Sequence, residues 1–188
     1  MKQNTYTRLY TGTKFYPLDP RVEDIHIADI SHALACNNRF NGHLPRPYSV
    51  GQHSIVVSNN CTPQNALWGL LHDAYEAYLP DVPSPVKHDP RFRFYRNAEA
   101  RGMLAVCERY GLDPVEPPEV KVAGKRAYLA EIRDLRGREL TVTGHIKGEG
   151  WYKDLLPLEE RIVPWRWDKV EREFTNLFCR LAGRPYGK

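Results

Sequence analysis

Two residues in the middle of the stretch "WGLLHDAYEAYLPDVPSPVK" (Trp68 to Lys87) carry the clearest chemistry of the chain: the dipeptide His72-Asp73. Leu67, Trp68, Leu70, Leu71, Ala74, Tyr75, Ala77, Tyr78 and Leu79 surround it. Apolar residues on every side predict a buried helix. A bare carboxylate costs several kcal/mol inside a protein unless something pairs it. A divalent cation relieves that cost, pairing the carboxylate and taking neutral imidazole as a further ligand. At helical spacing Gly69, His72/Asp73 and Glu76 form one narrow polar stripe, with Gly69 leaving room for a guest. An isolated His-Asp dipeptide is better read as pinning a loop to backbone groups, since such pairs occur by chance. This one has company: His53 stands 19 positions earlier, on the apolar face of the preceding helix with Val50 and Val57, and Asp81 follows. Helices joined by a short turn pack antiparallel, which lets His53 face His72.

The order His53, His72-Asp73, Glu76, Asp81 resembles the HD-domain phosphohydrolases. It is most similar to their small single-domain branch, the bacterial 5'-deoxynucleotidases and the viral dATP triphosphohydrolases. "TGTKFYPLDPRVEDIHIADISHALA", "RFNGH" and "YSVGQHSIVVS" resemble the N-terminal half of that group; "VKVAGKRAYLAEIRDL" and "ERIVPW…VEREFTNLF" resemble its C-terminal half. The resemblance implies an all-α HD-type bundle of five to seven helices in a single domain. It implies His53, His72 and Asp73 as ligands of a divalent metal (Mn, Co, Zn, Mg or Fe), which lowers the pKa of a bound water toward about 7 for attack on phosphorus. By the same carry-over Glu76 orients or deprotonates that water, and Asp81 assists proton transfer or contacts the sugar. Arg39, Lys87 and Lys121 are the candidate phosphate contacts. Phe40 is a candidate base platform, and His43 a weaker pocket candidate. The implied reaction takes a deoxynucleoside monophosphate to nucleoside, or a triphosphate to nucleoside plus triphosphate. A homo-oligomer in the cytoplasm of a bacterium, or of a host if viral, goes with it.

One position departs from the family pattern. Where a run like VK-x-A-D-x-R supplies a fourth ligand, this chain reads Val120-Lys121-Val122-Ala123-Gly124-Lys125-Arg126. Glu131, the nearest carboxylate on that face, lies seven residues on, about 10 Å along a helix axis, too far to substitute simply. Glu119 sits outside the face. Three readings stay open: water completes a three-ligand site, the protein is a non-catalytic nucleotide-binding or sensing module that has lost the metal, or the glycine is an engineered or incidental change.

The elements that must position these groups are legible in part. A weakly alternating arm or short hairpin covers residues 1–20. A first helix is predicted over Ile27 to Asn38. Ser49 and Gln52 form a capping-box pattern for the second helix. Thr62-Pro63 opens the third. The fourth runs from Phe92 to Tyr110 and stops at Gly111, and the fifth follows Pro117-Pro118 through Leu135. Residues 137–167 read as irregular. The last helix starts at Asp168 with Glu171 as capping partner; its stripe is Val170, Phe174, Leu177, Phe178 and Leu181, and Gly183 closes it.

Composition narrows the field. The chain has 188 residues, 41% hydrophobic and 27% charged, and a net charge of +4, which suits one folded domain and an anionic ligand. No basic block or base-reading motif marks a nucleic-acid binder, and no apolar run reaches the length of a membrane span. Cys36, Cys61, Cys107 and Cys179 are scattered, as in reduced cytosolic proteins. His26, His32, His88 and His145 lack partners at ligand spacing and read as surface or packing residues.

Overall fold

The computed structural model describes residues 5–136 and 155–183. Among them the protein is mostly helical, with seven helices and one two-stranded hairpin. The helices are α1 (Ile27–Cys36), α2 (Val50–Asn59), α3 (Ala66–Leu71), α4 (Ser84–Lys87), α5 (Arg93–Tyr110), α6 (Pro118–Leu135) and α7 (Trp167–Ala182). The hairpin pairs Thr7–Arg8 with Lys14–Phe15, antiparallel. It is tied down by the buried Asp29 of α1, which accepts from the Thr11 amide at 2.8 Å and the Thr11 hydroxyl at 2.9 Å.

The helix wrapped on all sides is α2: every residue from Val50 to Ser58 is buried. It packs on α1, α3, α6 and α7. One apolar cluster joins Phe15, Ile30, Leu34, Leu70, Tyr75 and Phe174; a second joins Val57, Trp68, Val120, Ala127, Leu158 and Ile162. α2 contributes to both. The stripe of α7 is buried at Val170, Phe174, Leu177 and Phe178.

Local signals set most helix ends. The Ser49 hydroxyl accepts from the Gln52 amide, capping α2. Gly111 (φ 69°) and Gly183 (φ 60°) close α5 and α7 in the left-handed conformation that glycine adopts without strain.

Several expectations are corrected. The Gln52 side chain does not return to Ser49. It donates to the Val163 carbonyl and accepts from the Trp165 amide, both at 2.8 Å, clamping the segment before α7. Thr62 does not cap α3, which starts at Ala66; its amide and hydroxyl donate to Glu119 of α6. Glu171 is not a capping partner either, since its carboxylate meets His32 Nδ1 at 3.1 Å. α1 ends at Cys36, two residues early, where Asn37 turns extended. The buried helix expected through Leu79 stops at Leu71, and residues Ala74–Ala77 form a tighter 3-10 turn. Of the irregular stretch 137–167, residues 137–154 and with them His145 lie outside the described residues. Residues 155–166 hold no helix or strand, and Leu158 and Ile162 anchor them in the core.

Candidate metal centre

The cluster forms where α2 meets the end of α3. α2 carries His53 inward; α3 ends at Leu71, so His72 and Asp73 sit at the break rather than on a continuing helical face. Gly69 does not leave space for a guest. A Cβ there would meet Cys61 Sγ and Ser58 Cα at 3.1 Å, so the glycine lets α3 press against α2. That close approach brings the His53 and His72 rings to 5.2 Å between centroids.

His72 Nδ1 lies 2.8 Å from the Gly69 carbonyl. A carbonyl only accepts, so that nitrogen carries the proton. His53 Nδ1 lies 2.6 Å from Glu131 Oε1. The opposite nitrogens converge on one oxygen: His72 Nε2 is 3.2 Å and His53 Nε2 3.8 Å from Asp73 Oδ2. One ligand atom from each of His53, His72 and Asp73 lies within 4.8 Å of the others. With both rings neutral, three lone pairs face one another. Such a set needs a cation among its members, either a proton or a metal ion. Transition-metal bonds to imidazole nitrogen and carboxylate oxygen run about 2.0–2.2 Å, so ligand atoms 3–4 Å apart fit around one ion.

The charges agree with that reading. Burial disfavours the His72 imidazolium, but the Asp73 carboxylate outweighs it and raises the group above its ordinary value. Burial works against the Asp73 carboxylate too, and His72, His53 and Arg39 together hold it well below the usual range. Burial, and next Arg39, push His53 down, toward neutral imidazole.

Arg39 donates through Nε to Glu131 Oε2 at 3.1 Å, and its Nη1 is 3.8 Å from Asp73 Oδ2. It opens a 3-10 turn in which Phe40 (φ 54°) and Asn41 (φ 50°) are left-handed without being glycine. Such backbone costs of order 1 kcal/mol per residue and concentrates at functional sites. The turn presents the Phe40 ring 5.8 Å from that of Tyr128, with Arg136 5.0 Å from its centroid.

Two cavities flank the cluster. The larger, about 730 Å³, is lined by Arg39, Phe40, His43, Glu76 and Asp81 among the expected residues, and by Asn38, Tyr128 and Arg136 in addition. The smaller, about 310 Å³, is lined by His72, Asp73, Glu76 and Lys87. Glu76 borders both. Burial, then Asp73 and Asp81, push its carboxyl up to about 9. Lys87 bridges Asp81 and Glu99 at 2.9 Å each. Lys121 borders neither cavity: it is exposed, 3.6 Å from Glu116.

Sequence reading placed Glu131 but missed its role. It stands on α6 with no exposure, receiving Tyr48, Arg39 and His53. The available signal was one acid in the run Ala127 to Ile132, where Ala127, Leu129, Ala130 and Ile132 are all buried. Gly124 lies on the same face of α6, two turns earlier, and a Cβ there would meet nothing within 4 Å.

The fold and site define a mostly helical protein with a half-buried His-His-Asp cluster beside an aromatic and cationic cavity. No family model matches the chain. It is similar to the uncharacterized protein YfdR of Escherichia coli (strain K12), 36% identical over 131 residues, 70% of this chain and 72% of that protein. It is likewise similar to the uncharacterized protein RCAP_rcc00048 of Rhodobacter capsulatus, 36% identical over 134 residues, 66% of this chain and 68% of that protein. The chain belongs to the family of YfdR. Among the described residues no helix is long and apolar enough to cross a membrane.

Proposed function

We propose that the protein is a metal-dependent phosphohydrolase of the HD type that acts on nucleotides, deoxynucleotides above all. The observation that carries this reading is the convergence of His53 Nε2, His72 Nε2 and Asp73 Oδ2, three atoms close enough to ligate one divalent ion. His53, His72 and Asp73 would hold a divalent ion. When bound, the ion supplies a water acidic enough to react at neutral pH and positive charge against phosphate oxygens.

The chain's own residues do the rest. Arg39, braced through Nε by Glu131, offers its remaining N–H groups to a phosphate from the wall of the larger cavity. Glu76 borders both cavities, and in the metal-free chain burial, then Asp73 and Asp81, favour its protonated form; beside the ion it would orient the water or exchange a proton with it. Asp81 pairs with Lys87 at 2.9 Å, which suits it to position sugar or loop. Phe40, with Arg136 over its ring, offers a base a stacking surface. A homo-oligomer working in the cytoplasm belongs to the same reading.

The test incubates purified protein with each deoxynucleoside mono- and triphosphate and Mn, Co, Mg or Zn, and separates the products. The expected result is metal-dependent release of inorganic phosphate or of intact triphosphate. No turnover in any combination, with metal shown to be bound, contradicts hydrolysis.

Gly124 favours a second reading, a nucleotide-binding module without turnover, because a fourth carboxylate is missing there. Gly124→Asp separates the two. The added Cβ has open space. Activity appearing only in the variant supports the binding-module reading for the native chain.

A further inference from the structure

We propose that Glu131 is the positioning residue of the cluster: it keeps the His53 proton on Nδ1, so that Nε2 stays a lone pair aimed at His72 and Asp73, ready for a divalent cation. The inference deepens the metal-site reading above and rests on it for the identity of the cation.

The geometry is that of a locked acceptor. Glu131 has no solvent exposure, so its oxygens are satisfied by protein or not at all. The Tyr48 hydroxyl donates to Oε1 at 3.0 Å, and Arg39 Nε donates to Oε2 at 3.1 Å. An arginine N–H cannot accept, so Oε2 remains an acceptor and the carboxylate cannot rotate to offer anything else. His53 Nδ1 completes the set at 2.6 Å, the shortest of the three contacts. His53 is itself buried on α2, with one nitrogen toward Glu131 and the other toward Asp73. Its ring therefore has two stable choices, and a proton on Nε2 would set Nδ1 against a carboxylate with both lone pairs opposed. A carboxylate on the far nitrogen of an imidazole ligand fixes its tautomer and raises its basicity; removing such a partner typically weakens metal binding 10- to 100-fold. Glu131 lies two helical turns from Gly124 on the same face of α6. It thus contributes negative charge through the His53 ring in a chain whose own sequence offers none at 124.

The test uses full-length, chelator-dialysed protein labelled with nitrogen-15 histidine, with His53 signals assigned by their loss in His53→Asn. Long-range proton–nitrogen spectra report the tautomer, and calorimetry with Co2+ alone reports affinity. The native protein is expected to show Nδ1–H at His53. Glu131→Leu is expected to populate Nε2–H and to weaken Co2+ binding 10- to 100-fold, whereas Glu131→Gln, whose amide oxygen still accepts, retains Nδ1–H and loses less affinity. A native spectrum with Nε2–H overturns the proposal, whether or not the variants fold. A folded Glu131→Leu protein with unchanged tautomer and affinity overturns it as well. Nδ1–H in the native protein, shifted in Glu131→Leu, together with no Co2+ binding by either, upholds the positioning role and overturns the metal reading.

Discussion

Two buried or half-buried glutamates flank the same cluster and behave in opposite ways. Glu131, on the α6 side, has three side-chain partners and no exposure. Burial alone would neutralise it, but Arg39 and then His53 hold its carboxyl below the ordinary range. Glu76, on the side of the 3-10 turn after α3, faces Asp73 and Asp81. Among the described residues no hydrogen bond reaches its carboxylate, and burial and those two acids push it up to about 9. Identical side chains thus divide into a buried anion with three side-chain partners and a carboxyl that burial and two neighbouring acids push toward its neutral form beside a cavity. What separates them is the company each keeps, above all Arg39, whose Nε serves Glu131 directly.

The sharpest way to break this comparison is to remove the Glu76 carboxyl. On the proposed hydrolysis, Glu76→Gln is expected to lower turnover about 100- to 10,000-fold, the usual contribution of a positioned acid or base. Stability should stay within about 1 kcal/mol, since no partner is orphaned. Steady-state rates with urea unfolding on the same samples check both halves. A folded variant with native turnover removes Glu76 from the chemistry.

Removing the buried anion is expected to act on stability first. Glu131→Ala leaves Arg39, Tyr48 and His53 without their shared acceptor and should cost about 3–5 kcal/mol of unfolding free energy, as for one half of a buried ion pair. A loss under 1 kcal/mol in urea titrations contradicts the lock.

The pH dependence sharpens the contrast. Glu76 titrates near 4.5 when unfolded and near 9 in the fold. Across that window the folded chain holds the extra proton, so stability should fall as pH rises from about 4.5 toward about 9. Thermal or urea unfolding in chelator reads the slope, which should flatten in Glu76→Gln. An unchanged slope in that variant assigns the effect to another group.

The smallest expected change is at Gly124. A Cβ there meets open space, and alanine in a helix interior is favoured over glycine by about 1 kcal/mol, so Gly124→Ala should stabilise by roughly that amount in urea unfolding. A destabilised variant means that the position is packed.

How much of this was legible before the structure depends on which force set each feature. Helix ends fixed by local chemistry read correctly, as at Ser49, Gly111 and Gly183. Ends decided by tertiary partners did not: Thr62, Gln52 and Glu171 all carry capping chemistry, yet each spends its side chain on a distant segment. The residues of the cluster were legible because imidazoles and an acid stood out among apolar neighbours. Their geometry was not, because the break at Leu71 and the tight seat of Gly69 depend on α2 packing against α3. Glu131 was weighed as a replacement ligand along one helix axis. Its actual contact crosses from α6 to α2, a distance no helical spacing reveals.

The most direct measurement is the divalent-metal content of the purified, dialysed protein, native beside His72→Ala, after exposure to Mn, Co and Zn in turn. About one equivalent retained by the native chain for at least one of these metals, and lost in the variant, is the expected result. Native protein that is folded yet retains none of the three contradicts a cation shared by His53, His72 and Asp73.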